Sequence, residues 1–294
     1  MTGTGRASRP RHEDGALQHR LALHTWTLDS TPLDDVLRIA PRAGWNAVEL
    51  RHVDFVRAAE TGTSRQALID IIRESGVQVA TVGAEYGWMF AKGPEQRRLF
   101  AALATTCESA NALGCDLIMS ATGSGTGTTR EAAAALREAG GIVDAHGLRL
   151  AWEYSSQHPS INRLPIACEI VARAAHPRCG LLLDAYHLER SGSGGRGFED
   201  VPARDIFGFQ YSDVPAGPAP GGLRPADRLP PGRGIVRWHD VFGLLLEKGY
   251  AGYLSYEAPN PAAWSRPPED VAREAADSTR ALLAEASRQW KRPR

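Results

Sequence analysis

Leu148-Arg-Leu-Ala-Trp-Glu153 is a short apolar run that closes on a carboxylate, and the same design recurs three times further along the chain. Gly180-Leu-Leu-Leu-Asp184 and Gly252-Tyr-Leu-Ser-Tyr-Glu257 end on acids, and Ile206-Phe-Gly-Phe-Gln210 ends on an amide. Runs of this length bounded by turn residues read as buried strands. Successive strands bring their last residues together only when they lie parallel around a common axis. A barrel of parallel strands carries its chemistry at that C-terminal rim. Hard oxygen donors gathered there point to one divalent cation held by Glu153, Asp184, Gln210 and Glu257. Mn²⁺ comes first, then Mg²⁺ or Co²⁺, ahead of Zn²⁺ because the set lacks thiolate and imidazole.

Outward from these runs, strand-like and helix-like stretches alternate at intervals of roughly 30 residues, the period of βα units. Strands are expected near 20–26, 47–50, 78–82, 115–120, 148–153, 179–184, 206–211 and 253–257. Helices are expected near 32–43, 64–74, 94–113, 130–145, 163–174, 201–205, 238–247 and 268–286. Gly44, Gly76, Gly114, Gly147 and Gly249 each follow a helical pattern, where a residue with positive φ stops a helix before the next strand. Eight strands alternating with eight helices define an α/β fold, a (β/α)₈ TIM barrel over residues 20–287. Residues 1–19 are read as a disordered N-terminal arm, with no apolar core to serve as a signal peptide, and 288–294 as a C-terminal tail. A doubly wound open sheet would require a Gly-rich turn after its first strand, and His24-Thr-Trp26-Thr supplies none.

The 294 residues carry 34 basic and 34 acidic side chains. This balance argues against nucleic acid or an anionic membrane as a partner, and no window approaches the ~18 apolar residues of a membrane span. Cys107, Cys115, Cys168 and Cys179 stand singly, as free thiols of a reducing cytoplasm would. The three lysines lie away from strand ends, which argues against Schiff-base chemistry, and no G-x-S-x-G elbow supports a serine hydrolase. A small-molecule substrate is the expected partner, and a homo-oligomer is compatible with the reading.

The rim-side loops are the long ones: 83–93, 121–129, 154–162, 185–200 and, longest and rich in Pro and Gly, 212–237. Loops of such length are binding elements or lids. They supply the candidate substrate residues. His187, three residues past Asp184, is placed to bind or protonate substrate. Arg228 and Arg233 on the longest loop suit a carboxylate, a phosphate or a polyol. Glu85 and His158 lie in rim loops, and Trp26 and Trp88 follow early strands, where an indole can wall one side of a polyol. The stretch Thr122-Gly-Ser-Gly-Thr-Gly-Thr128 lacks the Gly-Lys-Ser/Thr ending of a phosphate loop and is read as a flexible loop.

The chain resembles the xylose-isomerase-like barrels over about 21–283. The resemblance rests on Ala43-Gly-Trp-Asn-Ala-Val-Glu-Leu50, Leu183-Asp-Ala-Tyr-His187, Gln210-Tyr-Ser-Asp213, Asp227-Arg-Leu-Pro-Pro-Gly-Arg-Gly234 and Lys248-Gly-Tyr-Ala-Gly-Tyr-Leu-Ser-Tyr-Glu257. It implies that the family's Glu/Asp/His/Glu metal set falls on Glu153, Asp184, Gln210 and Glu257, with Gln210 in place of the commoner His. Arg233 stands where the family often carries Glu. The implied activity is isomerisation or epimerisation of a ketose, sugar acid or related keto-polyol through an enediolate. Glu153 and Glu257 would then be both metal ligands and acid/base groups approaching opposite faces of the substrate. The alternative is a lyase that dehydrates a cyclic keto-polyol or keto-acid, since loss of a β-hydroxyl after enolisation needs no new residue type. A non-catalytic binding barrel is the third reading, and a metallonuclease is disfavoured by the neutral charge.

Overall fold

The computed structural model describes residues 16–222 and 225–290. Eight parallel strands close in sequence order, β8 pairing back on β1. They are β1 (Leu21–His24), β2 (Ala47–Leu50), β3 (Gln78–Gly83), β4 (Leu117–Ala121), β5 (Arg149–Glu153), β6 (Cys179–Asp184), β7 (Ile206–Tyr211) and β8 (Leu254–Tyr256). The outer ring is built from α1 (Leu33–Arg42), α2 (His52–Glu60), α3 (Arg65–Glu74), α4 (Gly93–Ala112), α5 (Thr129–Ala145), α6 (Leu164–Ala174), α7 (Ala185–Arg190), α8 (Trp238–Glu247), α9 (Pro261–Trp264) and α10 (Pro268–Trp290). This is the (β/α)₈ barrel expected from the alternation.

Local chemistry sets the boundaries. All five anticipated stop glycines have positive φ; Gly44, at +94°, is one. Helix α8 buries Trp238, Val241, Phe242, Leu244 and Leu245 on one face. Such a stripe at three- and four-residue spacing pins a helix to the barrel, each large side chain contributing roughly 1.5–3 kcal/mol. The four cysteines are free, three of them buried, as read from their isolation in sequence.

Several boundaries differ from expectation, each for a local reason. Strand β1 stops at His24 because its Nδ1 accepts the Trp26 N–H at 3.1 Å and turns 25–28 into a 3₁₀ helix. Helix α2 was not anticipated; Asp54 nucleates it by accepting the Arg51 N–H at 2.8 Å. Helix α7 replaces part of the loop expected over 185–200, and residues 203–205 form only a 3₁₀ turn. At the N-terminus, Ala16–His19 is a 3₁₀ helix with Leu17 buried, so the expected arm is too long at its C-terminal end. The rest of that expectation, residues 1–15, lies outside the described residues. Helix α10 extends to Trp290, into the segment read as a tail; residues 291–294 lie outside the described residues. No helix among the described residues is long and apolar enough to cross a membrane.

Register is what aims the site. Asp184 pairs with Gln210, and Gln210 with Ser255, two residues before Glu257. On the other side His24 pairs with Glu49, and Glu153 ends β5 beside Ala121. The polar ends of β1, β2 and β5–β8 therefore crown one barrel end.

Candidate active site

A pocket of about 310 Å³ opens at that end, lined by Trp26, Tyr86, Gly87, residues 121–124, Glu153, Ser155, His187, Pro225, Arg228 and Glu257. Its size falls within the roughly 300–1,000 Å³ of small-molecule sites. A larger cavity of about 480 Å³ opens at the opposite mouth, among the N-terminal ends of the strands, and reaches Glu49 and Gln210 from below. The buried carboxylates of Glu153 and Glu257 meet the His187 imidazole and the Arg228 guanidinium at the upper pocket, on the C-terminal side of the strands, so that is the candidate active site.

Asp184 carries the densest set of contacts. Its Oδ1 accepts the Tyr186 N–H at 2.9 Å and caps α7, while Oδ2 accepts from Arg228 Nη1 at 2.7 Å. The same Nη1 reaches Glu257 Oε2 at 2.8 Å and the Glu257 carbonyl at 3.2 Å. The Arg228 guanidinium is almost wholly buried and lies 4.6 Å from the centre of the Tyr186 ring. Arg228 thus stands between two of the four residues read as metal ligands.

Among the described residues, Glu153, Asp184 and His187 have potential ligand atoms within 4.8 Å of one another. Glu257 is joined to this group through Arg228, while Gln210 pairs with Asp184 across β6 and β7 and donates from Nε2 to Glu49 Oε1 at 2.8 Å. That bond turns the Gln210 amide so that Oε1, buried and without a protein partner, is the atom left over. Glu153 Oε1 is likewise buried and unpartnered. Buried oxygens without donors are costly, and a cation is one partner that satisfies them. Burial, then the charges of Glu257 and Asp184, hold the Glu153 pKa well above the ordinary carboxylate range. Glu153, Asp184 and Glu257, when ionised, outweigh the single guanidinium by two charges. The donor set therefore fits a divalent ion in both charge and orphaned oxygens.

Two histidines flank the glutamates in the same manner. His187 Nδ1 accepts the Ser156 N–H at 3.2 Å, which leaves the proton on Nε2, 3.7 Å from Glu153 Oε1 and 3.9 Å from Asp184 Oδ2. His24 Nδ1 is occupied by the Trp26 N–H, so its Nε2 also carries the proton, 3.4 Å from Glu257 Oε1. An imidazole whose Nδ1 accepts a backbone N–H presents a donor and cannot ligate a metal through Nε2 in that tautomer. Burial drives the His187 pKa down to about 4, keeping it neutral near pH 7. Both rings are N–H donors beside carboxylates.

The remaining sequence candidates divide. Trp26 lines the pocket. Trp88 does not: it is buried beneath the rim, with Nε1 donating to Ser120 Oγ at 2.9 Å. Glu85 pairs with Arg98 at 2.6 Å and lies off the pocket lining. His158 ties two rim loops together, with Nε2 on the Gly125 carbonyl at 2.9 Å and Nδ1 accepting the Ile161 N–H. Arg233 is exposed and faces Glu274 at 3.6 Å, away from the pocket. The Gly-rich stretch is close-packed on its neighbour loop. Gly123 has φ +80°, and a Cβ there would lie 2.8 Å from the Gly87 nitrogen.

Two buried residues at the site carry no role in the sequence reading. Glu49 ends on the same level as His24, and its burial, reinforced by Glu257, pushes its pKa up to about 8. Its signal was present: Ala47-Val-Glu49 is another apolar run ending in an acid. Asp213 lies wholly buried and accepts from Val214 N, Gly232 N, Val236 N and Trp238 Nε1 at 2.7–3.0 Å. It holds the loop that delivers Arg228.

The chain belongs to the xylose isomerase-like TIM barrel family, whose model matches residues 37–282. It is 31% identical over 146 residues to an inosose isomerase of Halalkalibacterium halodurans, covering 49% of this chain and 51% of that protein. It is 28% identical over 156 residues to a 3-dehydroshikimate dehydratase of Pseudomonas putida, covering 50% of this chain and 23% of that one. The chain thus matches about half the length of the first of these relatives and under a quarter of the second. Among solved structures, the IolI protein with a bound zinc atom superposes with a TM-score of 0.80 at 20% identity, over 90% of this chain and 98% of that one. An L-ribulose 3-epimerase superposes at 0.73 with 17% identity, over 92% and 96%. At these identities the structural likeness establishes the fold.

The Gln210 geometry makes an expected outcome concrete. Gln210→Leu removes the orphaned Oε1 and is expected to weaken divalent-ion binding, whereas Gln210→His keeps binding and raises relative Zn²⁺ affinity. Equilibrium dialysis of the two variants against Mn²⁺ and Zn²⁺ decides it; full affinity in Gln210→Leu removes Gln210 from the ligand set.

Proposed function

We propose that this chain is a divalent-metal-dependent isomerase or epimerase of a ketose, sugar acid or related keto-polyol. The observation that carries the reading is the pair Glu153 and Glu257, buried at the floor of a rim pocket beside orphaned oxygens. Glu153, Asp184, Gln210 and Glu257 would hold the ion. When bound, such an ion neutralises negative charge developing on adjacent substrate oxygens, worth several kcal/mol in a dry site. Glu153 and Glu257, at the ends of different strands, can take a proton from one carbon and return it to the same or the neighbouring one. His187 supplies an N–H to a substrate oxygen from the Glu153 side. Trp26 gives the pocket an apolar wall, and Arg228 offers a guanidinium to an anionic or hydroxylated substrate. Similarity to an inosose isomerase supports this class.

Dehydration of a cyclic keto-polyol or keto-acid is the second reading. Similarity to a 3-dehydroshikimate dehydratase favours it, as does a neutral His187 whose Nε2–H can hydrogen-bond a departing hydroxyl while one of the glutamates, protonated by the first step, returns the proton. Product analysis separates the two, because dehydration creates a conjugated chromophore and epimerisation leaves the ultraviolet spectrum nearly unchanged. Metal content tests what both share. Protein purified without chelator should carry a divalent ion, Mn²⁺ foremost, and Asp184→Ala should lose it. Equal metal content in the two proteins removes Asp184 from the site.

A further inference from the structure

We propose that Arg228 is an internal cation that competes with the divalent ion for the site, so that metal binding releases its guanidinium towards the substrate pocket. This deepens the metal-dependent reading above and rests on it. Arg228 Nη1 bonds Asp184 Oδ2 and Glu257 Oε2 at 2.7 and 2.8 Å, occupying the gap between them. A divalent ion taking the same two oxygens would meet a like charge in the same space. One of the two cations must leave.

The arrangement suits exchange. The backbone of Arg228 is fixed from both sides: its N–H donates to the Pro259 carbonyl and its carbonyl accepts from Asn260 Nδ2 at 2.9 Å. The side chain is therefore the part that moves. Its Nε is buried without a partner, so its present seat is incompletely satisfied. The face of Tyr186 gives the guanidinium an adjoining surface on which to slide, since arginine stacks on aromatic rings. The Tyr186 hydroxyl is held by Asp227 at 2.8 Å, which keeps that ring in place. Arg228 also lines the rim pocket, so a small displacement delivers its charge to bound substrate. In the metal-free protein the arginine offsets part of the negative charge of two buried carboxylates. In the loaded protein it becomes a substrate-facing group.

The test measures Mn²⁺ binding by isothermal titration calorimetry, with no substrate present. Arg228→Met and Arg228→Gln remove the charge, and the glutamine keeps a hydrogen-bonding end should the methionine variant fold poorly. Arg228→Lys retains the charge. The neutral variants are expected to bind Mn²⁺ at least about tenfold more tightly than the parent, and Arg228→Lys to stay within about threefold of it. Their metal-free forms should melt lower and gain more in Tm on adding Mn²⁺. Equal or weaker Mn²⁺ binding in both neutral variants overturns the competition while leaving the metal reading intact. Tight binding in the neutral variants with none in the parent supports it. Absence of binding in all four proteins defeats the metal reading itself, and the competition with it.

Discussion

Glu257→Gln is expected to leave the barrel folded and to depress turnover by more than the roughly 10²–10⁴-fold that a general base alone contributes. The glutamine has the same shape and can still accept from Arg228, so the packing around β8 survives. It cannot take a proton from carbon, and it removes one of the charges that would hold a divalent ion, so both losses fall on the same step. The position is exacting: Glu257 Oε1 faces His24 Nε2 at 3.4 Å and Oε2 faces Arg228 at 2.8 Å, leaving little freedom for a water to substitute. Glu153→Gln should behave alike. His187→Ala should cost less, because it removes a positioning N–H and no charge. The measurement is solvent deuterium incorporation into a candidate keto-polyol or keto-acid alongside turnover, with circular dichroism confirming the fold. Full activity in Glu257→Gln, or turnover without exchange at any C–H, would defeat the proton-transfer mechanism and leave the fold assignment standing.

The largest stability effect is expected at Asp213. Its two carboxylate oxygens accept three backbone N–H groups and the Trp238 indole, and its own backbone makes a two-way bridge with Leu229. Asp213→Ala leaves the bridge but strips the acceptor from several buried donors, each costing about 1–3 kcal/mol when left unpaired. Some of those donors sit in a loop that can open to water, so the net loss should be about 3–5 kcal/mol. In a barrel of this size that lowers Tm by roughly 10 °C. Asp213→Asn keeps one acceptor oxygen and should fall between. Hydrogen exchange adds a local signature: amides of 228–238 should lose protection well before those of β5 and β6. A Tm within a degree or two of the parent in Asp213→Ala would show that the loop is held by its other contacts.

The two expectations concern the two halves of the site, and they were not equally legible. Strand ends could be read because a buried strand carries its last residues to the rim, and an acid closing a short, mostly apolar run is conspicuous there. Glu49 is harder to read because its run, Ala47-Val48, is only two residues long and Leu50 follows it within β2. Asp213 could not be read at all. Its partners lie between one and 25 residues away along an irregular loop, and no periodicity announces a carboxylate gathering N–H groups from a turn. Arg228 and Arg233 looked alike in sequence, five residues apart on one Pro- and Gly-rich loop. Asp213 takes the Gly232 N–H at 2.7 Å, and Arg233, the next residue, points outward to Glu274. Arg228, the neighbour of the bridge residue Leu229, turns inward onto Asp184 and Glu257.

The amino-acid sequence by itself determined the barrel, the order of its eight strands, the glycines that end several of its helices and the strands whose polar ends crown one end. Those properties follow from hydrophobic period and turn chemistry, which act over a few neighbouring residues. Only the tertiary structure decided which polar groups touch. Tautomers of His24 and His187, the orientation of the Gln210 amide, and the seating of the Arg228 guanidinium between two carboxylates all depend on partners brought together by strand register and a long loop. Buried charges are settled by whatever lies within a few ångströms of them, and for these residues that company comes from distant parts of the chain.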